Sequence, residues 1–364
     1  MNSITRKRGL TGLVLVGAST LMLAACAAPP AADSSTAASG DSDYLACMVS
    51  DEGSFNDNSF NEAAKDGLDK AASELGIQTQ ALESSSTEDF GPNLQQLVDA
   101  SCNVIFAVGF NFSDGSLEEI ANANPDSDFV WIDADDISGF GDNLKPINYS
   151  MDQSSYLAGY LAASYSTTKV IGTYGGLDIP AVDVFMEGYY YGAKAYETDS
   201  GTPVTVLGAP VDGAGTFTDP ATNFGDTAGA ASITQSQLDA GADVVFPVAG
   251  GLFASSAQVI TDSGKDAVII GVDKDIAVTS PELAPIVLTS VEKRMTQAVF
   301  DVIEPLAGGE EFSNEPYIGT LENDGTALSD FGDFDSKISD DAKAKLDELK
   351  AGIIDGSIVP VPAS

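Results

Sequence analysis

One stretch, Asp51-Glu52-Gly53-Ser54-Phe55-Asn56-Asp57-Asn58-Ser59-Phe60-Asn61, brings together carboxylates, amides and aromatic rings and no cation. Such groups accept hydrogen bonds and offer apolar faces, the equipment of a binding site. Histidine is absent from all 364 residues. That removes Ser-His-Asp and Cys-His nucleophile pairs and the usual His-containing zinc sites, and it weakens any enzyme reading. Asp133-Ala134-Asp135-Asp136 lacks the spacing of an EF-hand loop and reads as a solvated acidic turn. Gly172-Thr173-Tyr174-Gly175-Gly176 is not followed by a Gly-x-x-x-x-Gly-Lys-Ser/Thr pattern and reads as a tight strand-to-helix connection. No metal and no cofactor are expected.

Short apolar runs alternating with helical patterns must position these groups, which predicts an α/β fold with parallel sheets. Strands are expected over 44–50, 77–82, 104–109, 129–133 and 147–150, then again over 170–174, 204–207, 244–248 and 267–272. The restart, with roughly 320 residues to bury, implies two lobes. They are predicted as 44–148 plus 276–314 and 149–275 plus 315–364, with crossings near Tyr149, Lys274 and Glu315. After the first strand, Ser59 and Glu62 match a Ser-x-x-Glu capping box. Phe60, Ala63, Ala64, Leu68, Ala71 and Leu75 follow at helical spacing, so a helix is expected from Ser59 to about Gly76. The loop 51–58 then lies at the carboxyl edge of a sheet, where open α/β folds bind ligands.

The N-terminus carries Arg6, Lys7 and Arg8 ahead of an apolar stretch over 10–25, the layout of a secretory leader too short and too interrupted for a bilayer span. Leu23-Ala24-Ala25-Cys26 resembles the bacterial lipobox, which makes Cys26 the expected lipidation site after removal of residues 1–25. Residues 27–43 hold no large apolar side chain and read as a flexible tether. Loss of the leader's three basic residues from the total of 16 leaves 13 against 55 acidic ones, which shifts the net charge from −39 to −42. Nucleic acid is excluded as a partner, because phosphate backbones need clustered Lys and Arg, and an anionic ligand would approach against the field. In an oxidising exterior Cys47 and Cys102 should pair, since their strands are neighbours in a sheet of order 2-1-3-4-5; two separate buried thiols are the alternative.

The loop 51–61 also resembles the motif Asp-x-Gly-Gly-x-x-Asp-x-Ser-Phe-Asn of the basic membrane protein family of solute-binding lipoproteins. The resemblance continues through Val108-Gly109-Phe110, Phe129-Val130-Trp131-Ile132-Asp133, Tyr156-Leu157-Ala158-Gly159 and Gly175-Gly176-Leu177-Asp178-Ile179-Pro180. It extends to Gly215-Thr216-Phe217-Thr218-Asp219, Gly241-Ala242-Asp243-Val244-Val245, Ile270-Gly271-Val272-Asp273 and Leu288-Thr289-Ser290-Val291-Glu292-Lys293-Arg294. Ser54 and Thr216 depart from the commoner Gly and Ser. The resemblance implies a two-lobed periplasmic-binding-protein type I fold, each lobe a doubly wound parallel sheet, acting as a monomer on the extracytoplasmic face of the membrane. It implies that a purine nucleoside binds between the lobes and passes to an ABC permease with its ATPase subunit. On this reading Phe60 and Phe217, one from each lobe, sandwich the base. Asp51 and Asp273 accept from the ribose diol, Lys293 donates, and Asn61, Asp133, Gly250 and Gly251 complete the site. The residues themselves leave other roles open: Phe60 as core, Asp51 and Asp273 as turn or helix caps, and Lys293 on the surface. They equally leave open a sugar or signalling metabolite as the ligand, an exported nucleosidase, or an adhesin.

Overall fold

The computed structural model of the chain describes residues 42–213 and 215–362, so the leader, Cys26 and the tether through residue 41 lie outside the described residues. The first lobe alternates β1 (Leu45–Glu52), α1 (Phe60–Leu75), β2 (Gln78–Ser84), α2 (Phe90–Asp99), β3 (Val104–Val108), α3 (Ser116–Ala123), β4 (Asp128–Ile132) and β5 (Leu144–Tyr149). Then α4 (Met151–Tyr165) leads into β6 (Val170–Gly175), α5 (Pro180–Ser200), β7 (Thr205–Leu207), α6 (Thr227–Asp239) and β8 (Val244–Val248). The second lobe continues with α7 (Phe253–Ser263), β9 (Val268–Asp273), the short α8 (Ile276–Thr279) and β10 (Val287–Lys293). The chain ends through α9 (Met295–Ala307), β11 (Tyr317–Gly319), β12 (Thr326–Leu328) and α10 (Asp340–Ile354).

The strands form two six-stranded sheets, β2-β1-β3-β4-β5-β11 and β7-β6-β8-β9-β10-β12. Both use the doubly wound order 2-1-3-4-5 plus one late edge strand, parallel in the first sheet and antiparallel in the second. This is the two-lobed periplasmic-binding-protein type I architecture. Helices cover both faces, so strands such as β3 and β8 are buried at every position. Alternate residues feed opposite faces: Cys47, Val49, Ile105, Phe129 and Trp131 pack on one side of the first sheet, and Met48, Phe106, Val130 and Ile132 on the other. Cys47 in β1 is disulfide-bonded to Cys102, just ahead of the neighbouring β3, with their Cα atoms 5.9 Å apart.

The second and third lobe crossings differ from the sequence expectation. Residues 287–293 pair in parallel with β9 and belong to the second sheet, so the chain leaves that lobe after Lys293 and not near Lys274. β11 lies beside β5 in the first sheet, which places the third crossing between Gly319 and Thr326, beyond Glu315. Polar residues inside β10 hide it from a hydrophobicity reading. Thr289 and Ser290 are fully buried because Ser329 satisfies them: Thr289 Oγ1 donates to its carbonyl at 2.9 Å, and Ser290 N–H donates to its hydroxyl at 2.8 Å. The chain then returns to the first lobe, where α9 packs on α1 and Thr296 Oγ1 donates to Ala63 O at 2.7 Å.

Candidate functional site

β1 delivers the loop 51–59 to the sheet's carboxyl edge, directly before α1. Ser59 is the N-cap residue, but its side chain does not cap the helix. Asp57 does so instead, accepting from the backbone N–H groups of Ser59 at 2.8 Å, Asn61 at 3.0 Å and Glu62 at 3.1 Å. The Ser59 hydroxyl is thereby released and donates across the cleft to Asp273 Oδ2 at 2.7 Å. The expected capping box is absent because Asp57 already accepts both of its backbone N–H groups, those of Ser59 and Glu62, and the Ser59 hydroxyl makes a contact between lobes instead. Asp51 sits at the end of β1, held by Asn61 Nδ2 at 3.4 Å. Gly109, with φ +122°, lets the chain pass over it, since a Cβ there would lie 2.0 Å from Asp51 Oδ2.

The two lobes present equivalent carboxylates. Asp133 directly follows β4 and Asp273 ends β9, each strand being the fourth of its sheet, and both residues are left-handed with φ of +58° and +66°. Asp tolerates that conformation better than most side chains, and the arrangement turns both carboxyls into the cleft. Lys293, at the end of β10 and 3 % exposed, binds both oxygens of Asp133 at 2.6 Å. Its ammonium also lies 5.0 Å from the Phe60 ring centroid and 5.6 Å from that of Phe185. A buried cation needs such compensation. Burial pushes Asp273 up to about 6 despite the opposing pull of Lys293 and the Ser59 hydrogen bond. Burial likewise holds Asp51 well above the carboxylate range, against the Asn61 bond and with Asp133 adding to the rise, and it raises Asp57.

These groups line a cavity of ≈ 280 Å³ between the lobes. Of the residues expected from sequence, Asp51, Phe60, Asn61, Asp133, Gly250, Gly251, Asp273 and Lys293 all lie on its wall. Phe217 does not. Residues 216–218 instead extend the sheet beside β6: Gly175 N–H donates to Thr216 O at 2.9 Å, and Thr218 N–H to Gly175 O at 3.0 Å. The Phe217 ring lies over Gly175 and packs on the apolar core. Its place in the cleft belongs to Phe224, whose ring covers Gly176 so closely that a Cβ there would come within 2.2 Å of it. The sequence held a signal for this. Phe217-Thr218-Asp219 and Phe224-Gly225-Asp226 are both Phe-x-Asp, and only the second stands immediately before α6, where Asp226 caps by accepting from Gly229 N–H at 2.7 Å.

Phe185, Phe110 and Val182 add further apolar wall, and Glu52 and Asn223 add polar wall. Asn61 and Asn223 each give their amide nitrogen to a carboxylate, Asp51 and Glu52 respectively. With the amide nitrogens so engaged, both Oδ1 atoms are buried without a partner. The cleft is thus rich in acceptors, and its single lysine is already engaged. Among the described residues, no group of three or more His, Cys, Asp or Glu could hold a metal ion.

The sequence pattern of the family described as "ABC transporter substrate-binding protein PnrA-like" matches residues 45–362. The chain belongs to that family. The substrate-binding protein is 29% identical over 370 residues to the "ABC transporter nucleoside-binding protein BmpA" of Lactococcus lactis, covering 97% of this chain and 98% of that one. It is 30% identical over 252 residues to "Basic membrane protein A" of Borreliella burgdorferi, covering 68% of each. A solute-binding protein of an ABC transporter system from Aeropyrum pernix has the same fold, with TM-score 0.76 at 24% identity over 87% of this chain and 92% of that one. One from Conexibacter woesei superposes with TM-score 0.65 at 18% identity, over 88% and 98% of the two chains. A family of this kind works by binding a small ligand and presenting it to a membrane permease driven by a separate ATPase. Among the described residues no helix is long and apolar enough to cross a membrane.

Proposed function

We propose that the cleft binds a purine nucleoside, and that a lipid on Cys26 holds the protein at the extracytoplasmic face of the cell membrane for delivery to its permease. The observation that supports this most is the composition of the cavity wall: Phe60 and Phe224, one from each lobe, beside Asp51, Asp133 and Asp273 and a single lysine. An apolar ring face on each lobe suits a flat base, whose stacking contributes about 1–3 kcal/mol. Carboxylates and unpartnered amide oxygens suit the donors of a ribose diol and of a base edge. A phosphate would meet uncompensated carboxylates, because Lys293 is already paired with Asp133. A cavity of ≈ 280 Å³ is at the small end for ligand sites, which fits a nucleoside better than an oligosaccharide or peptide. The Lactococcus relative named as nucleoside-binding points the same way.

A simple sugar is the second reading, since aromatic faces also stack on sugar rings. A thermal-shift panel on ligand-stripped protein separates the two. Stabilisation by adenosine, guanosine or inosine, with none by ribose or AMP, is the expected result. A shift with ribose alone would replace the nucleoside by a sugar.

A further inference from the structure

We propose that Lys274 sets the closure of the lobes, and so the affinity of the cleft, from a position that touches no ligand. β9 ends at Asp273 and Lys274 follows it directly; the Asp273 side chain reaches the residue just before α1 of the opposite lobe, and that of Lys274 reaches α1 itself. Asp273 takes the hydroxyl of Ser59, the residue just before α1. Lys274 Nζ binds Glu62 Oε1 at 2.6 Å and Asp66 Oδ2 at 2.8 Å, one helical turn apart along α1. Asp273 lines the cleft and Lys274 does not.

The geometry is held at both ends. The left-handed φ of Asp273 and the hydrogen bond from Lys274 N–H to Val272 O at 2.8 Å make the sharp turn that sends two consecutive side chains toward one helix. Glu62 is preset as well, because its other oxygen accepts from Asn58 N–H at 3.1 Å. An ammonium near the first turns of a helix is otherwise disfavoured by the helix dipole. Glu62 and Asp66 reverse that sign and, overcoming the cost of burial, hold Lys274 above its usual pKa. The Lys274 and Glu62 side chains are 16% and 24% exposed, so that pair is screened less than an open surface pair, while Asp66, 45% exposed, adds a more screened one.

Opening the lobes must break these bonds, and within the first lobe, among the described residues, the Glu62 carboxylate keeps only the Asn58 N–H while that of Asp66 has no other hydrogen-bond donor. A ligand that holds Asp273 in place therefore also holds the adjoining lysine on α1. Binding and closure are coupled through one peptide unit, and the coupling is indifferent to which base or sugar fills the cavity.

The test uses the full-length protein, with Lys274→Met, the conservative Lys274→Arg, and the double variant Glu62→Gln/Asp66→Asn. Small-angle scattering without ligand should show a larger radius of gyration for Lys274→Met and the double variant, with Lys274→Arg close to the parent. Dissociation constants for adenosine and guanosine should rise together by about five- to thirtyfold, with their ratio unchanged. The loss should shrink at about 1 M salt, which weakens the parent. Parent-like scattering from both charge-removing variants would overturn the proposal, as would a changed adenosine-to-guanosine ratio, which would make Lys274 a ligand contact. If the parent binds no nucleoside, the scattering arm still decides the matter, and only the ligand assignment falls.

Discussion

Replacing Phe224 by alanine tests the second-lobe aromatic face of the cleft. The ring lies on the cleft wall over Gly176 and, like Phe217, is partly buried against the apolar core, but unlike Phe217 it lines the cavity. Removing it deletes one stacking face, worth about 1–3 kcal/mol, so the dissociation constant for a purine nucleoside should rise about 5- to 150-fold. Phe217→Ala is the matched control. That ring packs on Gly175 and the core beside β6, so its loss should lower folding stability by about 2–3 kcal/mol, somewhat below the cost of a fully buried Phe, and leave affinity within about twofold. Titration calorimetry with guanosine and urea unfolding of both variants supply the two readouts. If Phe217→Ala weakened binding as much as Phe224→Ala, or if Phe224→Ala bound like the parent, the assignment of the second-lobe ring would be wrong.

Two further outcomes follow from charge and covalent structure. Asp273, raised to about 6 by burial, takes up a proton more readily folded than unfolded. It therefore contributes stability below about pH 4 that is lost as pH rises through about 6, on the order of 3 kcal/mol in all. Asp273→Asn should flatten the unliganded protein's urea stability between about pH 4 and 7 while weakening ligand binding, and an unchanged slope would place the titration elsewhere. Reducing the Cys47–Cys102 bond frees a loop of 55 residues' separation and should cost up to about 4 kcal/mol by the chain-entropy relation, read as a drop in urea midpoint. Two free thiols in the untreated protein would contradict the bridge.

Fold class was readable because doubly wound sheets bury both faces of their strands, so runs such as Val104–Val108 and Val244–Val248 stand out as continuous apolar segments. β10 was not readable in the same way, since Thr289 and Ser290 are satisfied by Ser329, which lies 39 residues away from Ser290 in sequence. The acids of the cleft were legible from their places at strand ends, where topology alone turns them toward a ligand. Ser59 was misread because a capping box is a local pattern, and the contact that overrides it comes from Asp273, 214 residues on. Phe217 and Phe224 share one local motif, and beyond the place of the second before α6 it is the extension of the sheet along β6 that separates the structural ring from the cleft ring.

The central claim is tested most directly by titrating adenosine, guanosine and inosine, with AMP and ribose as controls, into the full-length protein after unfolding and refolding to remove carried-over ligand. The account predicts saturable one-to-one binding of at least one purine nucleoside, and heat with neither AMP nor ribose. Absence of binding by all three nucleosides, or tighter binding of AMP than of its nucleoside, would contradict it.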